Sequence, residues 1–327
     1  LGSLLKYDHR QHSAVQMEKK PNSFTMYWSN LEMYEDCAQK FLWSRGWHDI
    51  DLGRGMGRSK ERPVKSSEHH SLMGTVIQAV LERMYNDEMW RDGANLKDRL
   101  KTLLDKEFTL ALNKAYIDWS RTDCPPQGDL YNICWDGISG YLKTMKQHRL
   151  LGPYARAEVE LPAMVDKYTP INGRADFIIR RDDVGVMILD GKNAKTKGKY
   201  TDPDQLRWYA LCFWLAYGQM PDKLGFVYYR YPYGKPILNE DGTETGEVET
   251  GVDWVPFTKD DLKGIATRAA DASKAMTFHK FDPKPDPQTC KFCDFETVCE
   301  ARKATKRTRN RQTTLEQVSK ADGLVEF

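Results

Sequence analysis

"GRADFIIRRDDVGVMILDGK", residues 173–192, is the stretch from which the fold is read. Two apolar runs flank a polar centre at residues 180–183, and their alternation and β-branched content predict two strands of an antiparallel hairpin turning about Asp183. In that register Asp176 faces Asp190, and opposed residues of an antiparallel pair point to one face. Lys192, two positions further along its strand, shares that face. Phe177, Ile179, Met187 and Leu189 occupy the other face, which is expected to pack on helices. A carboxylate on a buried strand is costly unless it is paired or bound to a metal. Two close carboxylates favour a divalent cation, and oxygen ligands suit magnesium or manganese. Taken alone, the hairpin fits a structural salt-bridge cluster equally well.

The 327 residues carry a net charge of +2 and are 40% hydrophobic, enough for a large core in one elaborated domain or two. No apolar run approaches the roughly 18 residues of a membrane span. Leu1-Gly2-Ser3 shows no signal-peptide pattern, so a soluble, cytoplasmic protein without membrane partners is expected. Helical periodicity covers residues 71–86, 96–120 and 129–148, with "TDCPPQGD" dividing the last two. From about residue 154 the texture changes to strands. A helix follows, with Pro203 near its start and Gly218 past its end. A hairpin is predicted around Asp241-Gly242. Capping boxes are read at Ser29 with Glu32 and at Thr258 with Asp261, the latter opening a helix to about His279. The order is mixed α/β, with a helical insertion before the sheet.

Gln205 and Tyr209 stand one helical turn apart on the helix after the hairpin, so amide and phenol share a face. With them the chain presents the run Asp, Asp-x-Lys, Gln-x-x-x-Tyr, carried by "GRAD", "LDGK" and "QLRWY". This run resembles the PD-(D/E)xK nucleases of the RecB/AddB type. The resemblance covers residues 25–300 and implies a restriction-endonuclease-like mixed sheet core with a helical insertion at about 71–150 and the catalytic sheet at about 154–257. It implies that Asp176, Asp190 and the backbone carbonyl of Gly191 bind the catalytic Mg2+ or Mn2+. Lys192 would assist the attacking water, while Gln205 and Tyr209 would steer the DNA strand. The helix "GTVIQAVLERMY" resembles the earlier motif in which a histidine adds a metal ligand; Gln78 stands in that place, a weaker oxygen donor. His69 and His70, upstream of it, are read as helix-start residues rather than ligands. Glu158 and Glu160 fall where the family carries an acidic residue on the preceding strand, and both are expected to support the metal ligands from behind.

Seven cysteines, an odd number, argue against a disulfide framework. Three are crowded into "CKFCDFETVC", and Cys37 in "YEDCAQKF" is the best fourth thiolate for Cys290, Cys293 and Cys299. Zinc or an iron–sulfur cluster would satisfy four thiolates. One cysteine before the nuclease core and three after it, at 281–300, is similar to the iron–sulfur staple of AddB and of the CRISPR-adaptation exonucleases, which implies a 4Fe–4S cluster. Cys124, Cys134 and Cys212 are read as structural thiols.

Basic residues gather in three runs: Arg54 and Arg58 within the loop at 51–68, Lys195, Lys197 and Lys199 after the hairpin, and "ARKATKRTRNR" near the C-terminus. Three such runs around one site point to a polyanion. DNA, single-stranded or with free ends, is the expected substrate. The N-terminal arm (1–24) and the basic tail (301–327) flank the core, and the tail is the expected contact for a protein partner. "RQTTLEQV" within it lacks the paired aromatics of a sliding-clamp peptide. The activity implied is a DNA exonuclease of recombination, repair or phage DNA processing. A structure-specific endonuclease is the nearest rival. Gln78 in the histidine position supports another reading, a DNA-binding or assembly subunit with weakened catalysis.

Overall fold

The computed structural model describes residues 24–45, 48–49, 54–55, 68–198, 201–231, 236–291 and 293–303, with backbone alone at 48–49 and 54–55. Arg58, Lys199, residues 1–23 and residues 304–327 therefore lie outside the described residues, as does the side chain of Arg54.

The chain begins with two short helices, α1 (Trp28–Asp36) and α2 (Ala38–Arg45), and a two-residue antiparallel pair, β1 (His48–Asp49) with β2 (Arg54–Gly55). Three long helices follow: α3 (His69–Asn86), α4 (Leu96–Lys114) and α5 (Gln127–Gln147). The strands β3 (Tyr154–Met164), β4 (Pro170–Arg181) and β5 (Gly185–Lys192) then run antiparallel in succession. Helix α6 (Pro203–Tyr217) crosses to β6 (Lys223–Tyr228), which pairs parallel to β5, as a helical crossover permits. A small separate hairpin, β7 (Pro236–Leu238) with β8 (Glu244–Val248), encloses Asp241-Gly242 as expected. β9 (Val252–Val255) closes the main sheet against β6, and α7 (Lys259–Thr277) and α8 (Pro287–Lys291) end the described fold. The result is a five-stranded mixed sheet in the order β3-β4-β5-β6-β9 with helices on both faces.

Local signals account for most boundaries. Asp202 caps α6 by accepting from the Asp204 N–H at 2.9 Å, Pro203 occupies the first turn, and Gly218 ends the helix at φ 70°. Thr258 and Asp261 form the reciprocal capping box of α7. The Ser29–Glu32 box does not form: α1 already begins at Trp28, so Ser29 lies inside the helix and Tyr27 takes the cap position without a side-chain bond. Helix α4 stops at Lys114, short of the expected residue 120. There the Tyr116 N–H donates to Glu68 Oε2 and its carbonyl accepts from the Glu68 N–H, which draws the chain out of the helix.

Phe177, Ile179, Met187 and Leu189 pack against α3, α4 and α5, as the hairpin pattern predicts. Ile178, Val186, Ile188, Leu224 and Phe226 face the other layer, built from Leu31, Trp208, Leu211, Leu262 and Ile265 of α1, α6 and α7. One interruption matters for the site. The β3–β4 ladder passes from Ala157 with Phe177 to Val159 with Ala175 and skips Glu158 and Asp176. Glu158 sits at φ 54°, left-handed backbone that costs a residue with a side chain about 1 kcal/mol or more. Across this break the side chains change layers. Ala155, Ala157 and Phe177 belong to the α3–α5 core, whereas Leu161, Ala163 and Ala175 belong to the α1–α6–α7 core.

Candidate active site

The break in β3 and β4 opens a polar site between the two layers. On β4, Asp176 Oδ2 accepts the Gly191 N–H at 2.7 Å, a bond taking the place of strand pairing beyond Phe177 with Leu189. On β5, Asp190 is buried, and Lys192 Nζ lies 2.6 Å from its Oδ2, an ion pair whose angles fall short of a hydrogen bond. From α6, Gln205 Oε1 accepts from Lys192 Nζ at 2.9 Å while Gln205 Nε2 donates to Tyr209 Oη at 3.0 Å. One residue set expected to act together is thus joined hand to hand: Asp190, Lys192, Gln205, Tyr209. The ammonium also lies 5.3 Å from the Phe226 ring centroid.

Burial pushes the Asp176 carboxyl well above the ordinary carboxylate range, and the neighbouring charges of Asp190 and Glu158 push it further. The Gly191 N–H and Lys192 oppose that rise without cancelling it. Asp190 is also raised by burial, with Lys192 pulling it back. Two carboxylates that resist joint ionisation, both offering oxygen, fit a hard divalent cation.

From the opposite layer Gln78 reaches in on α3. Its Nε2 donates to Glu158 Oε1 at 2.8 Å, and its Oε1 accepts from Tyr229 Oη at 2.6 Å. Glu158 Oε2 also pairs with Arg174 Nε at 2.7 Å. Glu158 therefore stands within the polar cluster, whereas Glu160 is exposed and accepts from Asn172 Nδ2. Sequence reading missed Tyr229 and Arg174. Tyr229 sits in the aromatic run "VYYRYPY", where nothing separates it from its neighbours, and Arg174 reads as an ordinary strand cation. Among the basic candidates, Lys195 is exposed and Lys197 Nζ donates to the Val252 carbonyl at 3.0 Å.

His69 and His70 do start α3, as expected, and each brings a ring nitrogen within 4.8 Å of an Asp123 oxygen and of the other. The three side chains could hold a metal ion, with Arg121 as the present partner of Asp123. Arg121 takes both Asp123 oxygens and holds that carboxyl down at about 2. Burial and the charges of His69, Arg121 and Arg230 lower His70.

Cys37, between α1 and α2, lines one small cavity with Cys290, Cys293 and Cys299, together with Trp43, Lys40 and Lys284. All four thiols are free. The Lys284 N–H donates to Cys37 Sγ at 3.5 Å, and Cys299 Sγ donates to Gln39 Oε1 at 3.6 Å. Zinc–sulfur bonds of about 2.3 Å would hold sulfurs about 3.8 Å apart. Among the described residues, no three of these sulfurs lie within 4.8 Å of one another. Cys134 and Cys212 are buried in the two cores, in keeping with structural thiols.

The family model for the PD-(D/E)XK nuclease superfamily matches residues 28–300. A solved structure titled "Crystal structure of SSO0001" shares 15% identity over 70% of this chain and 85% of that chain, with a TM-score of 0.31. Among curated proteins none matches significantly. The family match spans the sheet, both helical layers and the polar cluster at the β3–β4 break: the chain belongs to the PD-(D/E)XK nuclease superfamily, whose members are metal-dependent phosphodiester hydrolases.

Proposed function

We propose that this protein is a metal-dependent DNA exonuclease acting on single strands or free DNA ends, with Asp176, Asp190, the Gly191 carbonyl and Lys192 as its catalytic centre. The observation that carries the reading is the linked set Asp190–Lys192–Gln205–Tyr209 beside a second buried carboxylate, Asp176. The donor set fits Mg2+ or Mn2+, which when bound supplies Lewis acidity toward a phosphoryl oxygen and acidifies bound water. Lys192, set between Asp190 and Gln205, orients the attacking water and offsets negative charge developing on the phosphate. Gln205 shares the ammonium with Asp190, at 2.9 Å against 2.6 Å. Tyr209, buried and raised far above its ordinary value by burial and the two aspartates, stays protonated and offers its hydroxyl to the strand.

The cysteine cavity supports a 4Fe–4S cluster as a structural staple between the α1–α2 junction and the C-terminal end. Four free thiols around one small cavity would give such a cluster its ligands.

End-labelled single- and double-stranded DNA, with a closed single-stranded circle alongside, tests the reading in magnesium or manganese. Release of short products from one end with the circle left intact is expected. Cutting of the circle would make the enzyme an endonuclease. Binding without cleavage in either metal would favour a DNA-binding subunit.

A further inference from the structure

Gln78 occupies the place where a histidine ligand was expected, yet both ends of its amide are engaged by protein groups. An ionised carboxylate only accepts hydrogen bonds, so the amide NH2 must face Glu158. The carbonyl end then faces Tyr229, whose hydroxyl must donate. Tyr229 is itself held fast. It is buried, its ring lies 5.6 Å from that of Tyr141, and its N–H donates to the Lys192 carbonyl at 2.9 Å. Its hydroxyl also presses on Gly191, where an added Cβ would lie 1.6 Å from Oη.

We infer that Gln78 is a strut and not a ligand: Tyr229 positions Gln78, Gln78 positions Glu158, and the fixed charge of Glu158 sets how tightly the Asp176–Asp190 pair holds a divalent cation. The inference rests on the metal-site reading given above. Glu158 needs such support because it sits in left-handed backbone where the ladder is broken, so strand pairing does not place its side chain. Its second oxygen is held by Arg174, largely exposed, so the buried hold comes from Gln78. The register on either side of the break sets Glu158 opposite Asp176, so its carboxylate stands beside the pair. Tyr229 and Gln78 are thus positioning residues.

The test is titration of the whole protein with Mn2+ alone, read by the electron paramagnetic resonance of free Mn2+, with thermal melting as a folding control. Tyr229→Phe should weaken Mn2+ binding about 10-fold, the size of effect seen when groups behind metal ligands are removed. Gln78→Leu should weaken it equally. In the Gln78→Leu background, Tyr229→Phe should add nothing. Unchanged binding in Tyr229→Phe, or an undiminished effect in the double variant, overturns the strut. Should Tyr229→Phe fail to fold, Gln78→Leu binding Mn2+ like the native protein overturns it as well. Asp190→Asn separates the two readings: if it too binds Mn2+ normally, the metal site itself is misplaced, whereas its loss beside an unaffected Tyr229→Phe removes the strut alone.

Discussion

The N–H of Gly191 donates to Asp176 Oδ2 at 2.7 Å, one step past the last ladder pair of the β4–β5 hairpin. A side chain thereby does the work of a strand partner, and the carboxylate is oriented by backbone rather than by another charge. The same glycine leaves room for the Tyr229 hydroxyl. Gly191→Ala should therefore destabilise the protein by roughly 1–3 kcal/mol, the usual range for overpacking a filled site. Urea unfolding measures it, and a variant as stable as the native protein would mean that Tyr229 is free to move aside.

Metal-free stability should carry the mark of the two aspartates. A carboxyl raised in the folded state binds its proton more tightly there than in the unfolded chain. Stability from that group is present at low pH and is lost as pH rises from about 3.8 through the raised value. Asp176→Asn removes the penalty while keeping an oxygen for the Gly191 N–H. In buffer with EDTA it should melt above the native protein at pH 8, with the gap closing as the pH is lowered toward 4. A gap of the same size at every pH would show that the charge carries no penalty.

Asp190→Ala should lower DNA cleavage on the order of 10³-fold, since charge stabilisation by a held cation contributes several kcal/mol. DNA binding should change little, and the variant should still fold cooperatively. Turnover at the native rate, with contaminating nuclease excluded, would remove Asp190 from the centre.

The cysteines make an independent forecast. A staple joining Cys37 to the cluster of thiols past α7 would close a very long loop, which constrains the unfolded chain strongly. Purified protein should be brown and contain about four irons per chain. Cys37→Ser should lose both colour and much of its solubility, while Cys212→Ser, on α6 and buried in the core, should keep its iron. One zinc and no iron would end the cluster; full iron in Cys37→Ser would mean a different fourth ligand.

The hairpin register, the bounds of α6 and the Thr258–Asp261 cap were all legible from residues near one another in the chain. Their causes are short-range: alternation selects a face, proline suits a first helical turn, and a glycine accepts φ 70° where other residues resist it. The Asp-x-Lys and Gln-x-x-x-Tyr pieces were legible for the same reason, since strand and helix periods place their side chains. What escaped a linear reading was the exchange of layers at Glu158 and Asp176, because alternation assumes an unbroken pleat. Also hidden were the partners of Gln78. Tyr229 lies 151 residues away and reaches it only because the α6 crossover sets β6 parallel to β5, beside Gly191. Spacing along a chain specifies which groups share an element. Which groups share a site is decided by how the sheet and its two helical layers pack, and that packing sets Gln78 between Glu158 and Tyr229.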